Sequence, residues 1–324
     1  MMKDICVLVE HQRGKIADIT FEMLGMGREV ADALGYSLNA ILLGNNVKGL
    51  VSQLGIADNV LLMEHEALSE LIPETYLQAL NKINDERDSE VVLLGYTNMS
   101  MGVGALLSSR LGIPFINYCK NLKVEGGKIL ATCVLYGGKV EAEVSSSQDK
   151  AIFVIYAGAY PADKGRADRS PTIKDISPPS FERKVVFKTY IEPEVGDVDI
   201  TKQDILIAVG RGIQNKENIT LAEELASELG GAVCASRPII DQGWLPMTRQ
   251  VGKSGMIVKP KLYLAAGISG APEHQEGMRG SQFTVAINTD PHAPIFDISR
   301  YGIVGDALEL LPLLTEAVRK KKGG

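Results

Sequence analysis

KLYLAAGISGAPEHQEGMRGSQFTVAINTDPHAPIFDISRYGIVGD, Lys261 to Asp306, is the stretch on which the fold turns. Its apolar runs are Leu262–Ala266, Phe283–Ile287 and Ile295–Ile298. Each ends in small or polar residues: Gly267-Ile268-Ser269-Gly270, then Asn288-Thr289-Asp290, then Ser299-Arg300. A further turn through Gly302 and Gly305 leads into an apolar stretch with helical spacing, where Asp306 falls in the first turn and suits the helix dipole. Strands this short, each followed by a Gly/Ser/Asn-rich corner, predict an open parallel sheet with a ligand along its carboxyl edge. The block therefore reads as the holder of a nucleotide-type cofactor.

Upstream of it the same grammar continues. Ile205–Val209 is a buried-strand run ending in Gly210-Arg211-Gly212. Asn218 is placed to cap a helix with the apolar face Leu221, Leu225 and Leu229, stopped by Gly230-Gly231. Ala232–Ala235 is a second strand, followed at once by Ser236-Arg237-Pro238, and Val251-Gly252-Lys253-Ser254-Gly255 forms a loop before Met256–Val258. Arg237, standing before a proline, is expected to be extended.

The first half of the chain alternates in the same way. Strand runs at Ile5–Val9, Leu38–Leu43, Val60–Met63 and Val91–Leu94 are separated by helical patterns over Ile16–Leu34, Val47–Leu54, Glu74–Ile83 and Gly102–Leu111. Cys119–Val124, Lys128–Leu135 and Lys139–Val144 then follow one another across Gly126-Gly127 and Gly137-Gly138, which are hairpin signals for added antiparallel strands. Ala151–Tyr156 is one more buried strand, Ala157–Ser180 reads as a surface excursion, Val185–Ile191 as an edge strand and Pro193–Thr201 as a linker. The expected fold is α/β with two domains, 1–198 and 199–324. Each is a mostly parallel doubly wound sheet, and the second is Rossmann-like.

Composition narrows the functional classes. Apolar content of 45% with 23% charged residues belongs to a soluble globular protein. The net charge of −6, with scattered basic residues, gives no electrostatic case for nucleic acid. The four cysteines, Cys6, Cys119, Cys133 and Cys234, form no C-x-x-C, so neither zinc nor an iron–sulfur cluster is expected. No apolar run is long enough for a membrane span, and a strand already opens at Ile5, so a cytoplasmic protein without membrane insertion is expected.

No catalytic signature is complete. Val251-Gly252-Lys253-Ser254 lacks the upstream glycine of a P-loop, since position 247 is Met. Gly267-Ile268-Ser269-Gly270-Ala271 approaches the nucleophile elbow but Ala271 breaks it. Ser269 is better placed as a helix cap or phosphate contact than as a nucleophile. What the polar residues share is position: Arg211, Ser236, Arg237, Ser269 to His274, Asn288 and Asp306 all follow strand ends, which in a parallel sheet lie along one edge.

The segments SRPIIDQGW (Ser236–Trp244), RQVGKSG (Arg249–Gly255), LYLAAGISGAPEHQEGM (Leu262–Met278), VAINTDPHAPIF (Val285–Phe296) and YGIVGDALELLP (Tyr301–Pro312) together resemble the α subunit of electron transfer flavoproteins. The resemblance spans nearly the whole second half in order, and the first half fits in length and layout. It implies FAD on the second domain and a heterodimer with a β subunit. It also implies electron traffic from acyl-CoA or other dehydrogenases to a membrane quinone oxidoreductase or ferredoxin. By the same resemblance, Arg211 and Ser236 serve the diphosphate and ribityl region, and Arg237 lies against the isoalloxazine. Val251, Gly252, Lys253 and Ser254 pass along the flavin edge. Ser269, Gly270, Ala271, Pro272, Glu273 and His274 wrap the ribityl and diphosphate, with His274 toward the flavin O2. Asn288 and Asp306 serve the adenosine half.

Such a role explains the absent catalytic motifs, because the cofactor carries the chemistry. A guanidinium beside the flavin stabilises negative charge without a titratable proton. Two departures from the family pattern stand out. Lys253-Ser254 replaces a common Gln-Thr, and Pro272-Glu273 replaces Ile-Gln, so that a pairing of Glu273 with His274 would raise the histidine's pKa. They leave open a bifurcating role, with NADH oxidised at a second FAD in the β subunit. A non-redox nucleotide-binding protein is the alternative from another class.

Overall fold

A computed structural model describes residues 3–87, 89–100, 102–190 and 198–322. The chain divides into two compact units, Met1–Thr189 and Tyr190–Gly324.

The first unit is built on β1 (Asp4–Leu8), whose residues are all buried. Alternate side chains of this strand enter opposite cores. Ile5 and Val7 join one apolar cluster, Cys6 and Leu8 the other. That alternation is why helices cover both faces. α1 (Asp18–Leu34), closed by Gly35 at φ 69°, packs on the first face. α2 (Pro73–Arg87) and α3 (Val103–Leu111) supply Tyr76, Leu80, Val103 and Leu107 to the second.

Strands β2 (Ser37–Gly44), β3 (Asn59–Glu64) and β4 (Val91–Tyr96) run parallel to β1 or to one another. β5 (Phe115–Glu125) pairs parallel to β8 (Ala151–Tyr156) through its first half and antiparallel to β6 (Lys128–Leu135) through its second. Tyr118, a non-glycine residue at φ 58°, marks the irregularity where one pairing gives way to the other. β7 (Val140–Ser145) pairs antiparallel to β6, as the hairpin signals predict. With β9 (Thr172–Asp175) the order across the sheet is β9-β3-β2-β1-β4-β8-β5-β6-β7.

In the second unit β10 (Ile205–Val209), β11 (Ala232–Ala235), β12 (Leu262–Ala266), β13 (Phe283–Asn288) and β14 (Tyr301–Val304) form an all-parallel sheet in the order β11-β10-β12-β13-β14. α4 (Ile219–Leu229) and α7 (Ala307–Lys322) close one face around Ile207 and Val209. α6 (Pro272–Met278) belongs to the other face, where Met278 joins Leu206 and Ala208. Strand order reverses between β10 and β12, so the crevice at their carboxyl ends is the topological switch point.

Several expectations need correction. Ile295–Ile298 is not a strand but part of a 3-10 turn, Pro294–Ile298, and the last strand is β14, in the stretch read as a turn. Ile295 is fully buried without pairing, whereas Tyr301 and Val304 are exposed on a sheet edge, so burial pattern misleads at both. The excursion Ala157–Ser180 contains β9, which takes the edge beside β3. The described part of Val185–Ile191, up to residue 190, is no strand. The Val185 amide bonds the Glu74 carboxylate at 3.3 Å instead. Residues 193–197 of the expected linker lie outside the described residues, and residues 200–202 form a 3-10 turn. Lys48–Gln53 is likewise 3-10, not α. Asn218 precedes α4, but its side chain bonds the Ile213 carbonyl at 2.9 Å and caps nothing.

Candidate functional site

A cavity of about 580 Å³ opens at the switch point of the second unit. It lies within the roughly 300–1,000 Å³ range of cofactor sites. Its floor is backbone. The Gly212 amide donates to the Gly267 carbonyl at 3.0 Å, so the corners after β10 and β12 cross in contact. A Cβ on Gly212 would stand 2.6 Å from Gly267 Cα, closer than real Cβ atoms come, so neither corner can carry a side chain there. This crossing presents Arg211, exposed, at the mouth. Gln214, at φ 66°, reverses the chain behind it.

Ser236, the buried residue after β11, is extended at φ −79° and ψ 156°, and its amide bonds the Val209 carbonyl at 3.0 Å. Arg237 does not continue that extension. It opens the five-residue helix α5 (Arg237–Asp241), with Pro238 in the first turn, where a proline's missing N–H costs nothing. Its guanidinium reaches Asp241 at 3.4 Å on the exposed helix face.

The loop Val251–Ser254 is held from two sides. Val251 N–H bonds the Ala235 carbonyl at 2.9 Å, and Lys253 N–H bonds the Glu273 carbonyl at 2.8 Å. Gly252 sits at φ 145° directly against Gly277 of α6, where a Cβ would stand 2.3 Å from the Gly252 nitrogen. Gln250, buried beneath, donates from Nε2 to Ser254 Oγ at 2.9 Å. The serine hydroxyl thus accepts from within the protein and keeps its own proton for another acceptor. Lys253 Nζ stands 4.0 Å from Glu276.

His274 borders the cavity from α6, and both ring nitrogens are engaged inside the protein. A carbonyl only accepts, so Nδ1–H donates to Val251 O at 3.1 Å. The Tyr263 hydroxyl then donates to Nε2 at 2.9 Å. Burial pushes the His274 pKa down to about 4, partly opposed by the Val251 bond. The condition for a raised pKa, a pairing with Glu273, is not met: Glu273 is exposed, and burial moves the histidine's pKa down instead. Burial also keeps the Tyr263 phenol protonated, far above its usual range.

Asn288 braces the neighbouring corner, donating from Nδ2 to Ile268 O at 2.9 Å and accepting from Asp290 N–H at 2.9 Å. Asp306 stands immediately before α7 and accepts the Leu308 N–H at 2.9 Å, a capping carboxylate at the dipole's positive end. Ser269 caps no helix, since Ala271 is the residue before α6.

Of the residues singled out in the sequence, Arg211, Ser236, Arg237, Val251 to Ser254, Ser269 to Ala271, Glu273, His274, Asn288 and Asp306 all line this cavity, and Pro272 does not. Sequence reading missed Gln214, Gln250, Thr289 and Ala307 in the wall. Gln250 carried a usable signal: it is a polar residue directly before an apolar one in a short loop between strand ends. The others sit in corners already recognised. Among the described residues no cluster of His, Cys, Asp or Glu has metal-binding geometry, and no helix is long and apolar enough to cross a membrane.

The class defined is an α/β unit with a cavity at the switch point of a parallel sheet, bordered by Arg211, Arg237 and Lys253. A family model described as the electron transfer flavoprotein FAD-binding domain matches residues 199–279, and one described as the electron transfer flavoprotein domain matches residues 5–180. Protein FixB of Azotobacter vinelandii is 35% identical over 99% of this chain and 92% of its own. The electron transfer flavoprotein subunit alpha of Thermoanaerobacterium thermosaccharolyticum is 35% identical over 99% of each chain. The acryloyl-CoA reductase electron transfer subunit beta of Anaerotignum propionicum is 31% identical over 99% of this chain and 96% of its own. The chain belongs to the electron transfer flavoprotein family, as an α subunit.

Proposed function

We propose that the chain holds FAD in the cavity of its second unit, pairs with a β subunit, and relays electrons from acyl-CoA or other flavin-dependent dehydrogenases to a quinone oxidoreductase or ferredoxin. The observation that carries this reading is the cavity itself, where backbone corners at the switch point combine with Arg211, Arg237 and Lys253 among its lining residues. The residues fit the cofactor. The crossing of Gly212 and Gly267 lets the backbone approach a diphosphate, and Arg211 offsets its charge. When bound, FAD supplies the electron-accepting chemistry.

Each residue has a defined part. Arg211 and Ser236 orient the diphosphate and ribityl chain. Arg237 stabilises negative charge at the ring without exchanging a proton, because guanidinium stays charged throughout. Ser254, its oxygen already accepting from Gln250, donates its proton to the ring edge. His274 stays neutral and anchors Val251, which places the Gly252–Ser254 loop. Asn288 and Asp306 shape the adenosine end by fixing the backbone rather than by direct charge.

A second reading is membership of a bifurcating complex, with NADH oxidised at another FAD in the β subunit. Lys253, a cation in the loop, leaves this reading open, and a relative named acryloyl-CoA reductase electron transfer subunit beta is consistent with electron transfer in either form. Co-purification with the β subunit and extraction of bound nucleotides tests both. A single FAD with AMP supports the simple carrier and a pair of FADs the bifurcating type. A colourless complex that takes up no added FAD overturns both, leaving a non-redox nucleotide-binding role.

A further inference from the structure

Cys119 and Cys133 are directly opposite across the antiparallel pair β5–β6. Opposed residues in such a ladder have Cα atoms about 4.5–5.5 Å apart and side chains on the same face. A disulfide requires about 4.4–6.8 Å, so the backbone already has the spacing. Both residues are reduced and buried, with relative exposures of 0% and 3%, and both enter the same core cluster. The Cys119 thiol donates to the Ile116 carbonyl at 3.4 Å. The other two cysteines are engaged elsewhere: Cys6 lies 3.1 Å from Ser89 Oγ, and Cys234 lies at the Tyr263 hydroxyl.

We propose that Cys119 and Cys133 are a dithiol pair that hydrogen peroxide converts into a reversible intrachain disulfide pinning β5 to β6. Cys133 reacts first. It is the less enclosed of the two, whereas the Cys119 thiol is fully buried and donates its proton to the Ile116 carbonyl. The Cys133 thiolate attacks peroxide: an S–O bond forms, the O–O bond breaks, and hydroxide leaves to become water. The Cys119 sulfur, giving up its proton, then attacks the Cys133 sulfenic acid. The S–S bond forms and the S–O bond breaks with loss of a second water. The two thiols supply the two electrons that reduce one peroxide, and a small-molecule dithiol reverses the change. The site adjoins the irregularity at Tyr118, so the crosslink would fix the sheet where its pairing changes sense.

The test is peroxide treatment of the purified full-length protein in its native state, then denaturation, alkylation and peptide mapping. Trypsin cuts after Lys120 and Lys128, which puts the two cysteines on separate peptides. The expected result is a linked Cys119–Cys133 peptide, half of the four cysteines refractory to alkylation, and full recovery with dithiothreitol. Cys6→Ser and Cys234→Ser retain the link, and Cys133→Ser abolishes it. The proposal is overturned if the wild type keeps all four thiols alkylatable, if the link involves Cys6 or Cys234, or if both thiols oxidise singly to sulfinic acids. Should Cys133→Ser fail to fold, the wild-type map decides alone.

Discussion

His274 donates its Nδ1 proton to the Val251 carbonyl, joining α6 to the loop that forms one wall of the cavity. The ring is buried and neutral, with a pKa of about 4 against an ordinary 6.5. The unfolded chain therefore binds a proton that the folded chain refuses across that interval. The corresponding stability is fully present above about pH 6.5 and is lost as pH falls toward 4, a change of about 3 kcal/mol if fully expressed. Urea unfolding of wild type and His274→Gln across this window should show a shallower pH slope in the variant. Parallel slopes would remove His274 from this role.

Gly277→Ala tests the close approach of α6 to the loop. Its Cβ would stand 2.3 Å from the Gly252 nitrogen, with backbone rather than a flexible side chain in the way. Despite alanine's better helix propensity, the substitution should cost about 1–3 kcal/mol and weaken FAD uptake. Denaturation midpoints with flavin titration measure both, and an unchanged midpoint would mean that the loop yields freely.

Arg237→Ala should make the flavin harder to reduce, because a fixed positive charge is lost where negative charge gathers. Each tenfold change in relative affinity for the two redox states moves a one-electron potential by about 59 mV. A downward shift of that order is expected, with Arg237→Lys intermediate. An unchanged redox titration would dissociate Arg237 from the ring.

Ser269 should resist labelling by a fluorophosphonate. A nucleophilic serine needs a base, and His274, which lines the same cavity, has Nδ1 bound to Val251 and Nε2 bound by Tyr263. Stoichiometric labelling at Ser269, read by peptide mass, would reinstate hydrolase chemistry.

Legibility in the sequence followed burial. Ile205–Val209 and Leu262–Ala266 are strands with the bounds their apolar runs suggest, because interior parallel strands are apolar on both faces, and Ala232–Ala235, although at the sheet edge, is buried throughout and reads the same way. β14 escaped because this edge strand is largely exposed and carries no buried apolar run, and Ile295 misled because a buried 3-10 turn looks the same in one dimension. The wall of the cavity was readable because strand-end corners converge by topology. The state of His274 was not. It follows from burial of the ring, which packs against Tyr263, a residue inside a strand eleven positions away in sequence. Glu273, adjacent in sequence, suggested the opposite shift.

The wall of the cavity gathers residues from Arg211 to Ala307, and so from the corners after β10, β11, β12, β13 and β14. A ligand seated there acts as a tie bar across the sheet. Loading at a thousandfold excess over its dissociation constant would add about 4 kcal/mol to the stability of this unit. In a flavin-starved cell, the unloaded polypeptide would lose that added stability together with its electron throughput.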